Sequence, residues 1–398
     1  MRRPASRGIR PRRTVSTSGN SGMAFGSTCA RTAHTLYMWR GRGATGRRGM
    51  KGCTLGAGRD RSRRAPRRHW AEGAFSQLVL VVCVLAILAL AGSWWPLFDF
   101  YAQLQMQILV VTTVSMLVAV SVQMWRSFVQ SLVCAAALGW SLYPHLAPPP
   151  RVEPGVAPGA GAPVRIAWAN LRNWVTGGPA VVRLLDTETP DIVILTELTE
   201  RHRAAAMTAP GYRFRTPFPA GSAFDLLLIS RIQPTEVRFD YAFGADYPIL
   251  EARFCAIDGA SVCLAIIALH APRPPLPEAA WGEPAVLRDG LLALAATMAR
   301  RRLAAQDHVL LIGDFNATPY SSAVRDMLAR SGLIDTAAAA AENPEQPRPT
   351  WLSTWPGVGL PIDNALISPG LRVVERRLGP NIQSDHRPLV LHLRLLGP

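Results

Sequence analysis

Lysine is nearly missing from these 398 residues: Lys51 is the only one, and arginine supplies the rest of the 43 basic side chains. Ala, Gly and Pro are abundant as well, the composition of a GC-rich genome, so a choice of Arg over Lys carries no functional weight at any position. Acidic residues are almost absent from the first 70 positions, where Asp60 stands against 18 Arg and Lys. From Arg151 to the end, 24 Arg are balanced by 24 Asp and Glu. The formal net charge of +16 therefore belongs to the N-terminal tail, and no basic groove for nucleic acid is written into the rest. Cysteine and histidine do not cluster at zinc spacing, which disfavours a structural or catalytic zinc. A secretory signal peptide is also disfavoured: the basic stretch is too long, and no small-residue cleavage site follows the first apolar run.

What is present divides into four parts. Residues 1–70, rich in Arg, Gly, Ser and Thr and without apolar periodicity, are expected to be a disordered basic tail, with Met50 as an alternative start. Residues 71–146 hold three apolar stretches, at about 75–98, 106–125 and 128–146. Each approaches the ~20 residues a helix needs to cross a bilayer, so three transmembrane helices are expected. Three such runs would leave a soluble domain no polar face. Without internal ionisable groups or repeats they suit an anchor rather than a transport pathway. Seven Arg or Lys lie between Met50 and Trp70, and none lies in the loop after the first run. The positive-inside rule then puts the N-terminus in the cytoplasm, and three crossings place everything after Leu146 outside the cell membrane. Residues 147–163 form a Pro/Gly linker.

Residues 164–398 change character. VRIAWANL, DIVILTEL, FDLLLISR, CLAIIALH, HVLLIGDFN, PIDNALIS and RPLVLHLRL read as strands, and 179–188, 286–306 and 321–331 as helices. One mixed α/β domain follows. Cys255 and Cys263 flank an Asp-Gly turn. With a three-residue loop at Asp258–Ala260 they would face each other, as a disulfide in an oxidising compartment or equally as two buried thiols.

Polar clusters interrupt the apolar strands at their ends: Asn170 and Asn173, Glu197, His270, Asp314 with Asn316, Asp363, and Asp385 with His386. Strand ends in an α/β sheet converge on a crevice, and a carboxylate closing a run of apolar residues is hard to explain by packing. Singly, each is more often a turn or cap residue; the ordered set points to a site.

The order Asn170, Glu197, His270, GDFN at 313–316, Ile362-Asp363 and SDH at 384–386 resembles the endonuclease/exonuclease/phosphatase family, which includes deoxyribonuclease I and exonuclease III. The resemblance covers about 164–395 and implies a four-layer α/β sandwich, two mixed β-sheets flanked by helices. The three-span anchor is similar to a bacterial membrane-bound subgroup, which implies a multi-pass protein of the inner membrane with a periplasmic catalytic domain. The implied activity is metal-dependent hydrolysis of a phosphate ester, in nucleic acid, a phospholipid head group or a small molecule. Mg²⁺, or Mn²⁺, needs few carboxylates. Asn170, Glu197 and Asp385 are expected to hold it. Asp314 is the expected water-activating base, oriented by Asn316, which also reaches substrate. His386, its tautomer fixed by Asp363, is the expected donor to phosphate, and His270 faces the transition state from the other side. Asn364 departs from the ring that many members carry after Ile-Asp. Trp355 in the loop TWLSTWPGVGLP either walls the substrate pocket or plugs the loop. Besides the bilayer no protein partner is called for. The alternative is a catalytically silent membrane-tethered module of the same fold.

Overall fold

A computed structural model describes residues 65–146, 163–172, 177–217, 224–255, 257, 262–273, 283–339, 348–354 and 358–396. The expected linker lies outside these except for Pro163, as do Asn173 and Trp355. Of the expected disordered tail only 65–70 is described, and it is helical, the start of α1.

The N-terminal unit comprises α1 (Ala65–Leu90), α2 (Pro96–Ala102), α3 (Gln105–Ser121) and α4 (Trp125–Leu146). The expectation of three spans needs correcting. Among the described residues one helix, His69–Leu90, is long and apolar enough to cross a membrane. The first run does not continue to Phe98: it ends in a turn at 91–94, and Pro96 begins the short α2. Helix α3 has 17 residues, about 25 Å of rise against a ~30 Å hydrocarbon core. Helix α4 is diluted by Ser127, Gln130, Ser131, Ser141 and His145, and contains Pro144.

The packing of this unit is inverted relative to a soluble bundle. Helix α3 buries Gln105, Ile108, Thr112, Ser115 and Ala119 at steps of three and four, and exposes Val110, Val111, Val114, Leu117 and Val118. Ser127 and Ser131 of α4 are buried, whereas Leu78, Val81, Val84 and Ile87 of α1 are exposed. Small and hydroxyl-bearing residues thus share the interior with Val79, Val82, Ile108, Leu138 and Leu142, while many branched aliphatics face outward.

The C-terminal domain begins with β1 (Val164–Asn170), α5 (Gly178–Glu188), β2 (Ile192–Thr196), α6 (Glu200–Thr208), β3 (Phe214–Arg215) and β4 (Leu226–Ser230). It continues with β5 (Glu236–Asp240), β6 (Ile249–Phe254), β7 (Leu264–His270), α7 (Glu283–Ala304), β8 (His308–Asp314) and α8 (Ser322–Ser331). It closes with β9 (Ile334–Asp335), α9 (Thr336–Ala339), β10 (Trp351–Leu352), β11 (Gly359–Leu360), β12 (Asp363–Ile367), β13 (Leu371–Leu378) and β14 (Leu389–Leu395). One six-stranded sheet has the order β13-β14-β1-β2-β4-β3, a second the order β5-β6-β7-β8-β12-β9, and β10-β11 form a small ribbon. Both large sheets are mixed: β1–β2 and β7–β8 are parallel, and their other pairs antiparallel.

Period-two alternation explains the layering. Val164, Ile166 and Trp168 of β1 pack with Leu310 and Ile312 of β8 in a core between the sheets. Ala167 and Ala169 turn the other way, onto Val181 and Leu184 of α5 and Ala206 of α6. On the second sheet Val309 and Leu311 meet Leu291, Leu292 and Ala295 of α7 and Val324 and Met327 of α8. The result is helix, sheet, sheet, helix, the four-layer arrangement the resemblance implies. Cys255 and Cys263 are joined in a disulfide just beyond the Phe254–Leu264 pair of the β6–β7 hairpin. The loop expected at Asp258–Ala260 lies outside the described residues.

The two halves are joined by buried polar contacts. Asp99 of α2, 2% exposed, accepts from Arg288 Nη2 at 3.0 Å, Ser321 Oγ at 3.0 Å, and the backbone N–H and hydroxyl of Ser322 at 2.6 and 2.9 Å. Ser322 opens α8, so a side chain from another helix satisfies one of its free N–H groups and complements its dipole. Gln103 Oε1 accepts from Thr318 N at 2.9 Å, and Gln107 Nε2 donates to the Gly359 carbonyl at 3.2 Å.

Candidate active site

Strand parity assembles the site. Asn170 continues the inward series 164, 166, 168; His270 continues 264, 266, 268; Asp314 continues 310, 312; and Thr196 continues 192, 194. Register then aligns them at one rim: Asn170 pairs with Thr196, His270 with Asp314, and Asp363 of the antiparallel β12 with Asp314. Glycine is required at 313, because a Cβ there would lie 2.0 Å from the Leu269 carbonyl oxygen on the neighbouring strand.

The turns after the strands bend sharply. Glu197 follows β2 directly with φ 54°, Arg172 follows β1 with φ 49°, and Asn316 follows β8 with φ 45°. Such left-handed backbone at non-glycine residues is costly and collects at functional sites. Strand β2 ends at Thr196, one residue before Glu197, and the last strand starts at Leu389, so Asp385 and His386 stand in the loop before it.

Hydrogen bonds tie the two sheets together across this rim. Asn170 Nδ2 donates to Glu197 Oε1 at 2.9 Å and to Asp314 Oδ2 at 3.1 Å, and its Oδ1 accepts from Arg172 N at 3.0 Å. The His270 Nδ1 and Thr196 hydroxyl share a bond of 3.0 Å; His270 Nε2 lies 3.5 Å from Asp314 Oδ2 and 3.9 Å from Glu197 Oε1. Asn316 donates its backbone N–H to Asp314 Oδ1 at 2.9 Å, while its amide turns to the Ala271 carbonyl at 2.8 Å. Asp363 Oδ2 pairs with His386 Nδ1 at 2.7 Å, and its Oδ1 accepts from Trp168 Nε1 at 2.8 Å. His386 Nε2 points to Asp314 Oδ2, 3.8 Å away. Asp385 Oδ2 accepts from Trp351 Nε1 at 3.2 Å and lies 3.6 Å from Arg172 Nε. Asn364 is buried and donates to the Ala317 carbonyl at 3.1 Å, so the position that departs from the family pattern braces the loop after β8.

Charge states follow from this crowding. Burial works to lower the His386 pKa, but the Asp363 and Asp314 carboxylates outweigh it and lift the imidazole to about 10. Burial raises the Asp314 carboxyl to about 7, helped by the Asp363 charge and opposed by His386. Burial also works to raise Asp363, yet the His386 cation and its hydrogen bond hold that carboxyl below its ordinary value.

Above these groups opens a cleft of about 240 Å³ lined by Arg172, Glu197, Arg273, Trp351–Thr354, Asp385 and His386. Eight expected residues, Asn170, Glu197, His270, Asp314, Asn316, Asp363, Asp385 and His386, thus meet at one rim. Glu197, Asp385 and His386 face the cleft; the others are packed beneath or beside it. Ligand atoms of Asp314, Asp363 and His386 lie within 4.8 Å of one another, close enough to share a metal ion. Sequence reasoning singled out the loop that holds Trp351 but missed Trp168, Thr196, Arg172 and Arg273. Parity marks Thr196, one position before Glu197 and in step with Ile194; the others had no signal, because their partners are distant in the chain.

Residues 167–386 match the Endonuclease/Exonuclease/phosphatase family. Among solved structures the chain is similar to an endonuclease/exonuclease/phosphatase from Beutenbergia cavernae DSM 12333, at 18% identity over 59% of this chain and 72% of that one, with a TM-score of 0.44. It is similar also to a family protein from Bacteroides thetaiotaomicron, at 14% identity over 58% and 97% of the two chains, with a TM-score of 0.42. A third is the 3′ phosphatase NExo from Neisseria bound to a product DNA hairpin, at 19% identity over 57% and 98%, with a TM-score of 0.45. None of the curated proteins matches. The family match spans more than half of the chain, which therefore belongs to the Endonuclease/Exonuclease/phosphatase family and is a hydrolase of the phosphoesterase and nuclease type.

Proposed function

We propose that this chain is a membrane-anchored hydrolase of phosphate esters that works with a divalent cation, Mg²⁺ or Mn²⁺, through a catalytic domain at residues 164–398. The observation that carries the reading is the link from Glu197 through the Asn170 amide to Asp314, which faces the His386 imidazole in turn. One cation and one phosphorus centre are both within reach of these groups.

Four carboxylates, Glu197, Asp314, Asp363 and Asp385, meet there against the His386 cation and Arg172. This surplus of hard oxygen donors fits a hard divalent ion. Asp363 has committed both oxygens, to Trp168 and His386, and serves better as a partner than as a ligand. Glu197 and Asp385, with Asn170, would hold the ion. When bound, it supplies Lewis-acid polarisation of a phosphoryl oxygen and neutralises charge. Asp314, held by the Asn316 N–H, accepts the proton of the attacking water. His386, kept protonated by Asp363, donates to the phosphate or the leaving group. His270 supports the developing charge from the side of Thr196. Arg172 and Arg273 are placed to meet the ester, and Trp355 belongs to the loop that walls it.

The inverted packing of α1, α3 and α4 supports a membrane anchor, with α1 as the helix long and apolar enough to span the bilayer. It also suits a cytoplasmic N-terminus and a periplasmic domain: the α1–α3 connection, the end of α4 and the docked domain share one side. The disulfide agrees with an oxidising compartment.

The test is turnover of bis-p-nitrophenyl phosphate by the purified full chain with Mg²⁺, with Mn²⁺ and with EDTA. Metal-dependent turnover, lost in Asp314→Ala, is expected. A folded protein that turns over no nucleic acid, lipid or small ester with either metal would be the silent module instead.

A further inference from the structure

We infer that the cleft opens at the bilayer surface and that its substrate is the phosphate ester of a phospholipid head group. This rests on the proposed hydrolase and anchor, and goes beyond both in naming where the substrate lies.

The membrane level can be read from the helical unit. Gln105 Nε2 donates to the Ala89 carbonyl at 3.0 Å, and Ser141 Oγ donates to Gln105 Oε1 at 3.2 Å, which sets α1, α3 and α4 side by side at one height. Near that height Trp94 and Trp140 stand out, 84% and 82% exposed, with Tyr143 stacked on Trp140. Exposed aromatics at the end of an apolar bundle belong at the head-group layer. Gln107 lies two residues farther along α3, toward the apolar section, whose exposed valines begin at Val110. At 1.5 Å per residue these steps are about 3 Å and 4–5 Å.

Gln107 is the residue that reaches the α/β domain at Gly359 of β11. Strand β11 pairs with β10, and Trp351 and Leu352 of β10 line the cleft. One wall of the site is therefore tied to the anchor at the depth where lipid-facing side chains begin. Leu352 and Val358 of this ribbon are large, apolar and exposed. Asp99 and Gln103 supply further fixed points between the helical unit and the domain. Within the cleft, Arg172 and Arg273 provide cations for a phosphodiester. A soluble ester needs no such placement; an ester fixed in the head-group layer does.

The test uses the full chain in vesicles of phosphatidylglycerol and phosphatidylethanolamine with Mg²⁺. Head-group release is followed by phosphorus NMR, and bis-p-nitrophenyl phosphate is assayed in the same preparation. Wild type is expected to hydrolyse both. Val358→Asp, at the ribbon but outside the cleft lining, is expected to cut lipid turnover about tenfold, the loss of one modest apolar contact, and to leave the soluble ester unchanged. Gln107→Ala is expected to act in the same direction. Hydrolysis of the soluble ester with intact lipid overturns the inference and spares the hydrolase reading. Equal loss of both activities in a folded Val358→Asp protein also overturns it. Inactivity on both substrates removes the hydrolase reading itself.

Discussion

Asp363→Asn separates the charge of the His386–Asp363 pair from its shape. The amide is nearly isosteric and can keep accepting from Trp168 Nε1 through its oxygen. Its NH₂ then faces His386 Nδ1, which can accept only when the imidazole is neutral. In the wild type, burial opposes protonation of His386, and the carboxylates of Asp363, first, and Asp314 hold its pKa at about 10 against an ordinary 6.5. Without the Asp363 charge the pKa is expected to return to the ordinary value or below. That change is worth roughly 5 kcal/mol of differential interaction. Histidine-selective NMR titration of the metal-free full chain in micelles reads it, with His386 assigned by the signal lost in His386→Gln. Turnover near neutral pH is expected to fall about 10²–10⁴-fold as the donor loses its proton. A variant in which His386 still titrates above pH 9, or one with unchanged turnover, would refute the reasoning. The same pair links stability to pH in the metal-free protein. The folded pKa is the higher one, so the contribution is complete below pH 6.5 and is lost as pH rises through 10.

Three other outcomes are expected. Asp314→Ala should abolish metal-dependent turnover of bis-p-nitrophenyl phosphate, while circular dichroism shows the fold intact. Gly313→Ala puts a methyl 2.0 Å from the Leu269 carbonyl and must part β7 from β8. A cost of about 3 kcal/mol would lower the melting midpoint by roughly 6–12 °C in a calorimetric scan. Reducing the Cys255–Cys263 bond, which closes a loop of sequence separation 8, should cost about 2–3 kcal/mol, measured by melting with and without reductant. An unchanged midpoint would remove the disulfide from the stability argument.

How legible was this in the sequence? Strands β1, β2, β4, β7, β8, β12 and β14 were readable because they are short apolar runs, and their polar ends named the rim. Strands β5 and β13 were not: EVRFD and LRVVERRL are edge strands in which charged residues break the apolar run, Glu236 and Arg238 exposed and Arg376 buried. Helix α6 has little amphipathic signal and owes its start to the Thr199–His202 capping box. Within the site, the chemistry-bearing residues were legible as types at strand ends. Their pairings were not, because Trp168 and Asp363 stand 195 positions apart and Thr196 and His270 stand 74 apart. The anchor misled in a different way. Apolar runs were counted as lengths, and the turn at 91–94 and the hydroxyls of α4 broke that count.

The Asp99 contacts bear on how the enzyme can be handled. A soluble fragment cut at the linker would retain Arg288, 2% exposed, and forfeit the Asp99 carboxylate. The neighbouring Asp289 carboxylate would then be its remaining acidic partner among the contacts seen here. Breaking a buried ion pair by deleting one member typically costs about 3–5 kcal/mol, a large share of the stability of an ordinary domain. The amputated domain would keep Ser321 as the N-cap of α8 but lose the carboxylate that accepts from the Ser322 N–H, and the Thr318 amide four residues earlier would lose Gln103. What reads as a leash in the sequence is, in the folded chain, a piece of the enzyme's own interior.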